Sequence, residues 1–171
     1  MAHSHQLVAG LGIATFMSVF GGNKLHAAPH PETSTDLVAL TAWLWSDDGE
    51  LGDVQVEVEV NGQIEHGRAE DNGKVELMLP ADVVALVRFI TPGHLTKEVT
   101  VDTHHMHDGN FHGKKRQLKF GVVMEALKDL AGQIYPGPVG SIAFDDGGGC
   151  LAVNHDKRHI PAAQQPQFKT F

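Results

Sequence analysis

One alternating segment constrains the fold more than any other feature of this sequence. Residues 54–60 read VQVEVEV, and a repeat of two places the valines on one face of an extended strand and the polar side chains on the other. Asn61-Gly62 follows directly. This pair is favoured in two-residue hairpin turns because both positions need a positive φ. The sequence therefore predicts a half-buried strand that turns back into an antiparallel partner at residues 63–70.

Turn-forming residues divide the following part of the chain at intervals of about eight to twelve residues, a spacing typical of short strands rather than helices. They are Ser46–Gly49, Asn61-Gly62, Asp71–Gly73, Pro80–Asp82 and Thr91–Gly93. Short apolar runs lie between these turns. Together with the runs Leu37–Trp45 and Gln117–Met124 that flank them, they predict an all-β protein of seven strands.

The 171 residues of the chain allow one domain with appendages. Residues 7–20 are apolar over the length of a signal-peptide core, and the small residues Ala27-Ala28 follow. We therefore expect an exported protein of the periplasm or cell surface. The predicted organisation is a signal peptide (1–27), a linker (28–36), a β-sandwich (37–124), a helix and β-hairpin extension (125–159) and a flexible tail (160–171).

Charge and cysteine content exclude some classes of partner and bond. The formal net charge is −8 and no basic cluster is present, so nucleic acid is not an expected partner, because binding it requires basic groups that neutralise phosphates. No membrane insertion is expected once the signal is removed. Cys150 is the single cysteine, so an internal disulfide bond is impossible.

Several motifs resemble a known family. They are Asp71–Leu77 (DNGKVEL), Leu79-Pro80, Thr91–His94 (TPGH) and Glu98–Val101 (EVTV). Over residues 37–124 this order resembles the carboxypeptidase regulatory-like family of transthyretin-type sandwiches, with His94 where tyrosine is commoner. The resemblance implies a seven-stranded, prealbumin-like Greek-key sandwich, here followed by a short C-terminal helix and a hairpin. Residues 138–146 are similar to uncharacterised exported proteins of the Bacteroidetes type, which implies an envelope protein without an assigned activity.

Histidines are the first candidates for chemistry. Four of the twelve histidines fall between the last two predicted sandwich strands, namely His104, His105, His107 and His112. In an extended chain His105 and His107 share a face and offer two imidazoles to Zn²⁺ or Cu²⁺. Asp108 or Met106 is a possible further ligand, as are histidines from elsewhere in the fold. The alternative is a solvated polar loop without a metal, and no fixed ligand spacing decides between the two.

Acidic and aromatic groups give weaker signals. Asp47-Asp48 and Asp145-Asp146 offer oxygen ligands to Ca²⁺, but neither fits an EF-hand loop, and acidic residues beside glycine are what turns alone select. Trp43 and Trp45 share one face of the first sandwich strand. We expect them to belong to the core, because aromatic side chains bury large apolar areas; the alternative is a stacking platform for a sugar or a peptide.

No catalytic residue is predicted from local motifs. Cys150 lies near His155 and Asp156, but it follows three glycines, and a flexible turn holds a nucleophile poorly. The sequence therefore predicts a non-enzymatic envelope protein that binds another envelope protein or a glycan through its loops or sheet edges. The alternatives are a periplasmic metal-binding protein that uses residues 104–112, and an accessory domain of a hydrolase.

Overall fold

The computed structural model of the chain describes residues 25–26, 37–130 and 132–164. Within these ranges the chain is almost entirely β-structure. The strands are β1 (Leu25–His26), β2 (Leu37–Ser46), β3 (Gln55–Val60), β4 (Gln63–Arg68), β5 (Lys74–Pro80), β6 (Val84–Ile90), β7 (Lys97–Asp102), β8 (Arg116–Met124), β9 (Gln133–Ile134), β10 (Gly140–Phe144), β11 (Leu151–His155) and β12 (Ile160–Pro161). Two 3₁₀ turns, Gly109–Phe111 and Ala162–Gln164, are the helical elements of this part of the chain.

The strands form two main sheets and one short ladder. The small sheet has the order β1-β5-β2-β8, the large sheet has the order β11-β10-β7-β6-β3-β4, and β12 pairs with β9. Most neighbours are antiparallel. The exceptions are the β1–β5, β2–β8 and β7–β10 pairs, which are parallel. The all-β class is confirmed, whereas the predicted seven strands are fewer than the strands observed.

The alternating segment forms the strand that its pattern predicts. The valines at positions 54, 56, 58 and 60 are all buried, and β3 pairs antiparallel with β4 from Val60–Gln63 outward. At the turn, Asn61 and Gly62 adopt φ values of 51° and 77°. The positive φ at both positions is what an Asn-Gly hairpin turn requires.

The core lies between the two sheets and takes apolar side chains from both. Its largest fully buried members are Phe89, Leu40, Leu77, Leu79, Met106 and Met124. Phe89 of the large sheet meets Phe120 of the small sheet edge to face, with ring centroids 6.5 Å apart. Burial of this kind is the main term that stabilises a sandwich. It also holds the strand ends, and the loops that leave them, in fixed positions.

Two predictions about individual elements are wrong. No α-helix forms in the described part of residues 125–133, where the chain makes a bridge and turns. Two of its backbone amides instead bond to distant partners: Ala126 N donates to the Asp47 carboxylate at 3.2 Å, and Leu127 N donates to Gly93 O at 2.8 Å. Trp43 and Trp45 lie on the outer face and are 40% and 49% exposed, so they do not belong to the core.

The C-terminal part of the chain joins the sandwich instead of standing apart from it. β10 and β11 form a hairpin, as the pattern of residues 139–153 predicts. β10 also pairs in parallel with β7 and so extends the large sheet. The predicted signal peptide, except residues 25–26, and the predicted linker lie outside the described residues. Of the described residues, none belongs to a helix long and apolar enough to cross a membrane.

Candidate functional site

The four histidines proposed as metal ligands do not meet in one cluster. His104 Nδ1 lies 2.6 Å from the Asp102 carboxylate, and His112 is exposed. His107 Nε2 is buried without a hydrogen-bond partner. Of these four histidines, all of which the structure describes, only His105 belongs to a group of three or more side chains with metal-binding atoms, and its companions are Asp108 and Asp146. The ligand role of all four histidines together stays a prediction.

A different cluster of polar side chains lies at the opposite end of the sandwich. Ser46 is the last residue of β2, Asp48 belongs to the turn that follows, and His94 belongs to the turn that precedes β7. Ser46 Oγ lies 2.7 Å from His94 Nε2 and 2.5 Å from Asp48 Oδ1. Ser46 is 9% exposed and the His94 side chain 6%. The sandwich thus holds a hydroxyl, an imidazole and a carboxylate in contact, largely shielded from water.

The partners of His94 fix which ring nitrogen carries a proton. Nδ1 lies 3.1 Å from the carbonyl oxygen of Pro92, which only accepts hydrogen bonds, so Nδ1 is the donor. In the neutral ring Nε2 is therefore the basic nitrogen, and it faces Ser46 Oγ. A serine hydroxyl beside a histidine that a third group orients is the arrangement of an activated nucleophile. Here the orienting group is a backbone carbonyl.

The same heavy-atom positions serve two protonation states. When the ring is neutral, the Ser46 hydroxyl has one proton for two acceptors, His94 Nε2 and Asp48 Oδ1. When the ring is protonated, Nε2 donates to Ser46 Oγ and the hydroxyl donates to Asp48. A proton can therefore be gained or lost at His94 without movement of the side chains. Groups arranged this way need little reorganisation when charge develops.

The Asp48 carboxylate supplies a fixed negative charge to this cluster. Lys128 Nζ donates to Asp48 Oδ2 at 2.8 Å, and this bond, followed by those from Ser46 and the Glu50 amide, holds the pKa of Asp48 well below its usual value. His94 Nε2 lies 3.6 Å from Asp48 Oδ1. The Asp48 carboxylate thus faces the same ring nitrogen as Ser46 Oγ. Because Asp48 already accepts hydrogen bonds from Lys128 and Ser46, a cation site shared by Asp47, Asp48 and His94 is disfavoured.

A second polar network lies at the same end and is centred on Glu125. Its carboxylate accepts hydrogen bonds from Tyr135 Oη at 2.6 Å, His159 Nε2 at 2.9 Å and Lys97 Nζ at 3.1 Å. Burial raises the pKa of Glu125, but the bonds from Tyr135, Lys97 and His159 outweigh burial, so the net pKa is lowered. Burial and then the bond to Glu125 raise the pKa of Tyr135. Each group in this network has a partner, which indicates a structural tie.

Backbone contacts join the two polar networks. Leu95 N donates to Glu125 O at 2.9 Å, and His94 forms a bridge with Ala126. Thr91 O accepts from His94 N at 3.3 Å. On its other side Thr91 meets the wall of a pocket, because a Cβ on Gly52 would lie 3.5 Å from Thr91 Oγ1. Thr91, whose carbonyl oxygen accepts from the His94 amide, thus also lies beside the pocket wall.

This pocket has a volume of about 360 Å³ and is lined by Leu51, Gly52, Asp53, Val54, Ala69, Glu70 and Asp71. Two of its acids have partners, since Arg68 donates to Asp53 at 2.8 Å and Asn72 donates to Glu70 at 3.3 Å. Three carboxylates against one guanidinium leave the lining negative. Such a lining favours neutral or cationic groups over anions.

Comparisons with known proteins show no family for this chain. No family model matches the chain, and no curated protein matches it. The 3-chlorocatechol 1,2-dioxygenase of Rhodococcus opacus 1CP is 8% identical over 60% of this chain and 64% of its own, with a TM-score of 0.44. The catechol 1,2-dioxygenase of Acinetobacter sp. ADP1 is 13% identical over 62% and 58%, with a TM-score of 0.43. The hydroxyquinol 1,2-dioxygenase of Pseudomonas putida DLL-E4 is 10% identical over 55% and 58%, with a TM-score of 0.36.

These comparisons correct the functional prediction. Several of the structural neighbours are catechol or hydroxyquinol 1,2-dioxygenases, so the prediction of a non-enzymatic envelope interaction module, with its two alternatives, is not retained for the whole protein. The β-sandwich is confirmed, whereas no match supports the carboxypeptidase regulatory-like assignment. The chain spans about three fifths of the length of these neighbours, and identities this low concern the fold alone. The activity of the neighbours is therefore not carried over to this chain.

Sequence reasoning did not find the serine–histidine pair. In the sequence Ser46 belongs to a predicted turn, and His94 stands where tyrosine is commoner in the family that the motifs resemble. The two residues are 48 positions apart, and the antiparallel and parallel pairings of several strands bring them together. A usable signal was present all the same, because both residues stand where a strand meets a turn at the same end of the predicted sandwich.

Proposed function

We propose that this protein is a hydrolase of small esters that uses Ser46 as its nucleophile. The observation that carries the proposal is the 2.7 Å contact between Ser46 Oγ and His94 Nε2, with Nδ1 of the same ring held by Pro92 O. In this arrangement the hydroxyl has two acceptors within reach, His94 Nε2 and Asp48 Oδ1, and the ring has a fixed orientation. Shielding of the pair from water strengthens both contacts.

The chemistry follows from the positions of the three groups. Ser46 Oγ attacks the ester carbonyl carbon while His94 Nε2 takes the hydroxyl proton. The ring then protonates the leaving alkoxide as the carbon–oxygen bond breaks, which leaves an acyl group on Ser46. Water attacks this acyl group while His94 Nε2 accepts a proton from the water; the bond from the acyl carbon to Oγ then breaks, the ring returns the proton to Ser46 Oγ, and the acid leaves. Asp48, 3.6 Å from the ring, stabilises the imidazolium in both steps.

The surroundings favour particular substrates. Ser46 is 9% exposed, so the acyl group that reaches it must be small. The negative lining of the neighbouring pocket, with Asp53, Glu70 and Asp71, favours an alcohol part that is neutral or cationic. We therefore expect acetyl esters of neutral alcohols, or of alcohols that carry an ammonium or guanidinium group, to be better substrates than esters that carry a carboxylate or phosphate.

Steady-state hydrolysis of 4-nitrophenyl acetate by the purified chain tests this function. We expect Ser46→Ala and His94→Gln each to lower kcat/KM by about 10²-fold or more, the scale on which general base catalysis contributes. The matched controls are Ser141→Ala and His66→Gln, because Ser141 lies on β10 and the His66 side chain is 71% exposed. Both controls are expected to keep the parent rate within about twofold.

The variants also separate catalysis from folding. Ser46 and His94 are buried, so each variant is compared with the parent by thermal unfolding before the rates are interpreted. Ser46→Cys keeps a nucleophile of similar size and is expected to retain part of the activity. Hydrolysis by the parent no faster than by folded Ser46→Ala removes the proposal. The proposal also fails if Ser141→Ala and His66→Gln lose as much kcat/KM as Ser46→Ala and His94→Gln.

A further inference from the structure

A group of three side chains lies at the end of the sandwich opposite Ser46. His105 Nδ1 lies 3.0 Å from Asp108 Oδ2 and 3.6 Å from Asp146 Oδ1, and the ligand atoms of all three residues lie within 4.8 Å of one another. His105 and Asp108 belong to the connection from β7 to β8, whereas Asp146 belongs to the turn from β10 to β11. Two segments that are distant in sequence thus present one nitrogen and two oxygens to a common point.

Backbone contacts hold these two segments tightly against each other. Gly147 N donates to Asp108 Oδ2 at 2.9 Å. A Cβ on Gly149 would lie 2.8 Å from Asp108 O, and a Cβ on Gly109 would lie 3.0 Å from Gly147 O. The 2.8 Å distance is shorter than real Cβ contacts and the 3.0 Å distance is at their limit, so glycine suits this close approach. The backbones of the two loops are therefore held together, which keeps the three side chains near one another.

Arg116 contacts the same two loops but does not contact the carboxylates of Asp108 and Asp146. Its guanidinium donates to Met106 O and Gly149 O, each at 2.9 Å, and packs 3.7 Å from the Phe111 ring centroid. It makes no ion pair with Asp108 or Asp146 within the described structure. Within the described structure, His105 is the basic side chain that faces both carboxylates.

We propose that His105, Asp108 and Asp146 bind a divalent transition cation, with Zn²⁺ the best fit. In a tetrahedral zinc site, metal–ligand distances of about 2.0–2.1 Å place ligand atoms about 3.3 Å apart, close to the 3.0 and 3.6 Å separations found here. An imidazole and two carboxylates suit zinc better than Mg²⁺ or Ca²⁺, which prefer oxygen ligands alone. Three protein ligands leave the fourth position for water.

This ligand set differs from the four histidines that the sequence singles out. It excludes His104, which is bound to Asp102, and the exposed His112. It adds Asp146, whose side chain is 90% exposed and belongs to another loop. It also stands apart from the hydrolase proposal, because it is at the other end of β7 and β8. Either proposal can fail without the other.

Calorimetric titration of the metal-stripped chain with ZnCl₂ tests this site. We expect one Zn²⁺ per chain, and a Kd raised at least tenfold in His105→Ala and in Asp146→Asn. The matched controls are His112→Ala and Asp145→Asn, which alter an exposed neighbour in each of the two loops and are expected to leave the Kd within about twofold. Asp146→Asn tests the site without a folding complication, because its side chain is exposed.

Three results would overturn the proposal. One is the absence of saturable zinc binding by the parent chain. The second is a parent-like Kd in Asp146→Asn, which would take the second loop out of the site. The third is a rise in the zinc Kd of His112→Ala as large as that of His105→Ala. This result would mean that zinc binds to the histidine-rich segment in general and not to the proposed three ligands. A parallel titration with MgCl₂ is expected to be at least tenfold weaker, and equal affinity would also contradict the proposed ligand set.

Discussion

Gly73 lies where both the backbone conformation and the packing require a glycine. Its φ of 78° is the positive value that the turn at Asp71–Gly73 favours. The residue also lies against β2, where a Cβ would approach Leu44 O far too closely. Two separate physical requirements thus act on one residue.

Alanine at two glycine positions separates the conformational requirement from the packing requirement. Gly62 has a φ of 77° with open space around it, and Gly73 has nearly the same φ of 78° with no room for a Cβ. We expect Gly62→Ala to lower the free energy of unfolding by about 1 kcal/mol, the cost of a left-handed residue. Gly73→Ala is expected to cost roughly 2 kcal/mol more, because the backbone must shift. Urea denaturation measures both, and equal costs would contradict the close approach.

The sequence predicts well the elements that local signals specify, and predicts poorly the elements whose hydrogen-bond partners are distant in the chain. β3 and β4 are predicted closely, because the period-two pattern and the Asn61-Gly62 turn are local signals. Residues 125–133 are predicted poorly as a helix, because Asp47 and Gly93 take up backbone donors there. The tryptophans at 43 and 45 share a face as expected, but the pattern alone does not say which face of β2 is buried.

Glu125 is expected to tie the C-terminal segment to the sandwich. It binds Tyr135 and His159 from that segment and Lys97 from β7. We expect Glu125→Gln to lower the free energy of unfolding by about 1–3 kcal/mol, because hydrogen bonds to a charged group are lost in a partly buried site. We also expect amide protons of residues 132–135 to exchange faster. Glu65→Gln, in β4, is the matched control, and equal effects of the two changes would contradict the tie.

The free energy of unfolding of the whole molecule should fall at low pH, because folding lowers the pKa of some carboxylates. For Asp48 the bonds from Lys128 and Ser46 lower the pKa, so its contribution is complete above the unfolded pKa of about 3.9 and is lost as pH falls toward the folded value. We therefore expect Asp48→Asn to be less stable than the parent at pH 7, with a difference that shrinks steadily below about pH 4. Thermal unfolding from pH 7 to pH 2 measures it. A difference that stays constant or grows in acid would contradict this origin.

The complete architecture brings three turns together at one end of the sandwich, and the proposed hydrolase function depends on that assembly. The most direct test is the mass of the intact protein after incubation with a fluorophosphonate, which reacts covalently with activated serines. We expect one adduct per chain, located at Ser46 by peptide mapping, absent in Ser46→Ala, much slower to form in His94→Gln and unchanged in Ser141→Ala. No adduct, or an adduct that persists in Ser46→Ala, would contradict the proposed nucleophile.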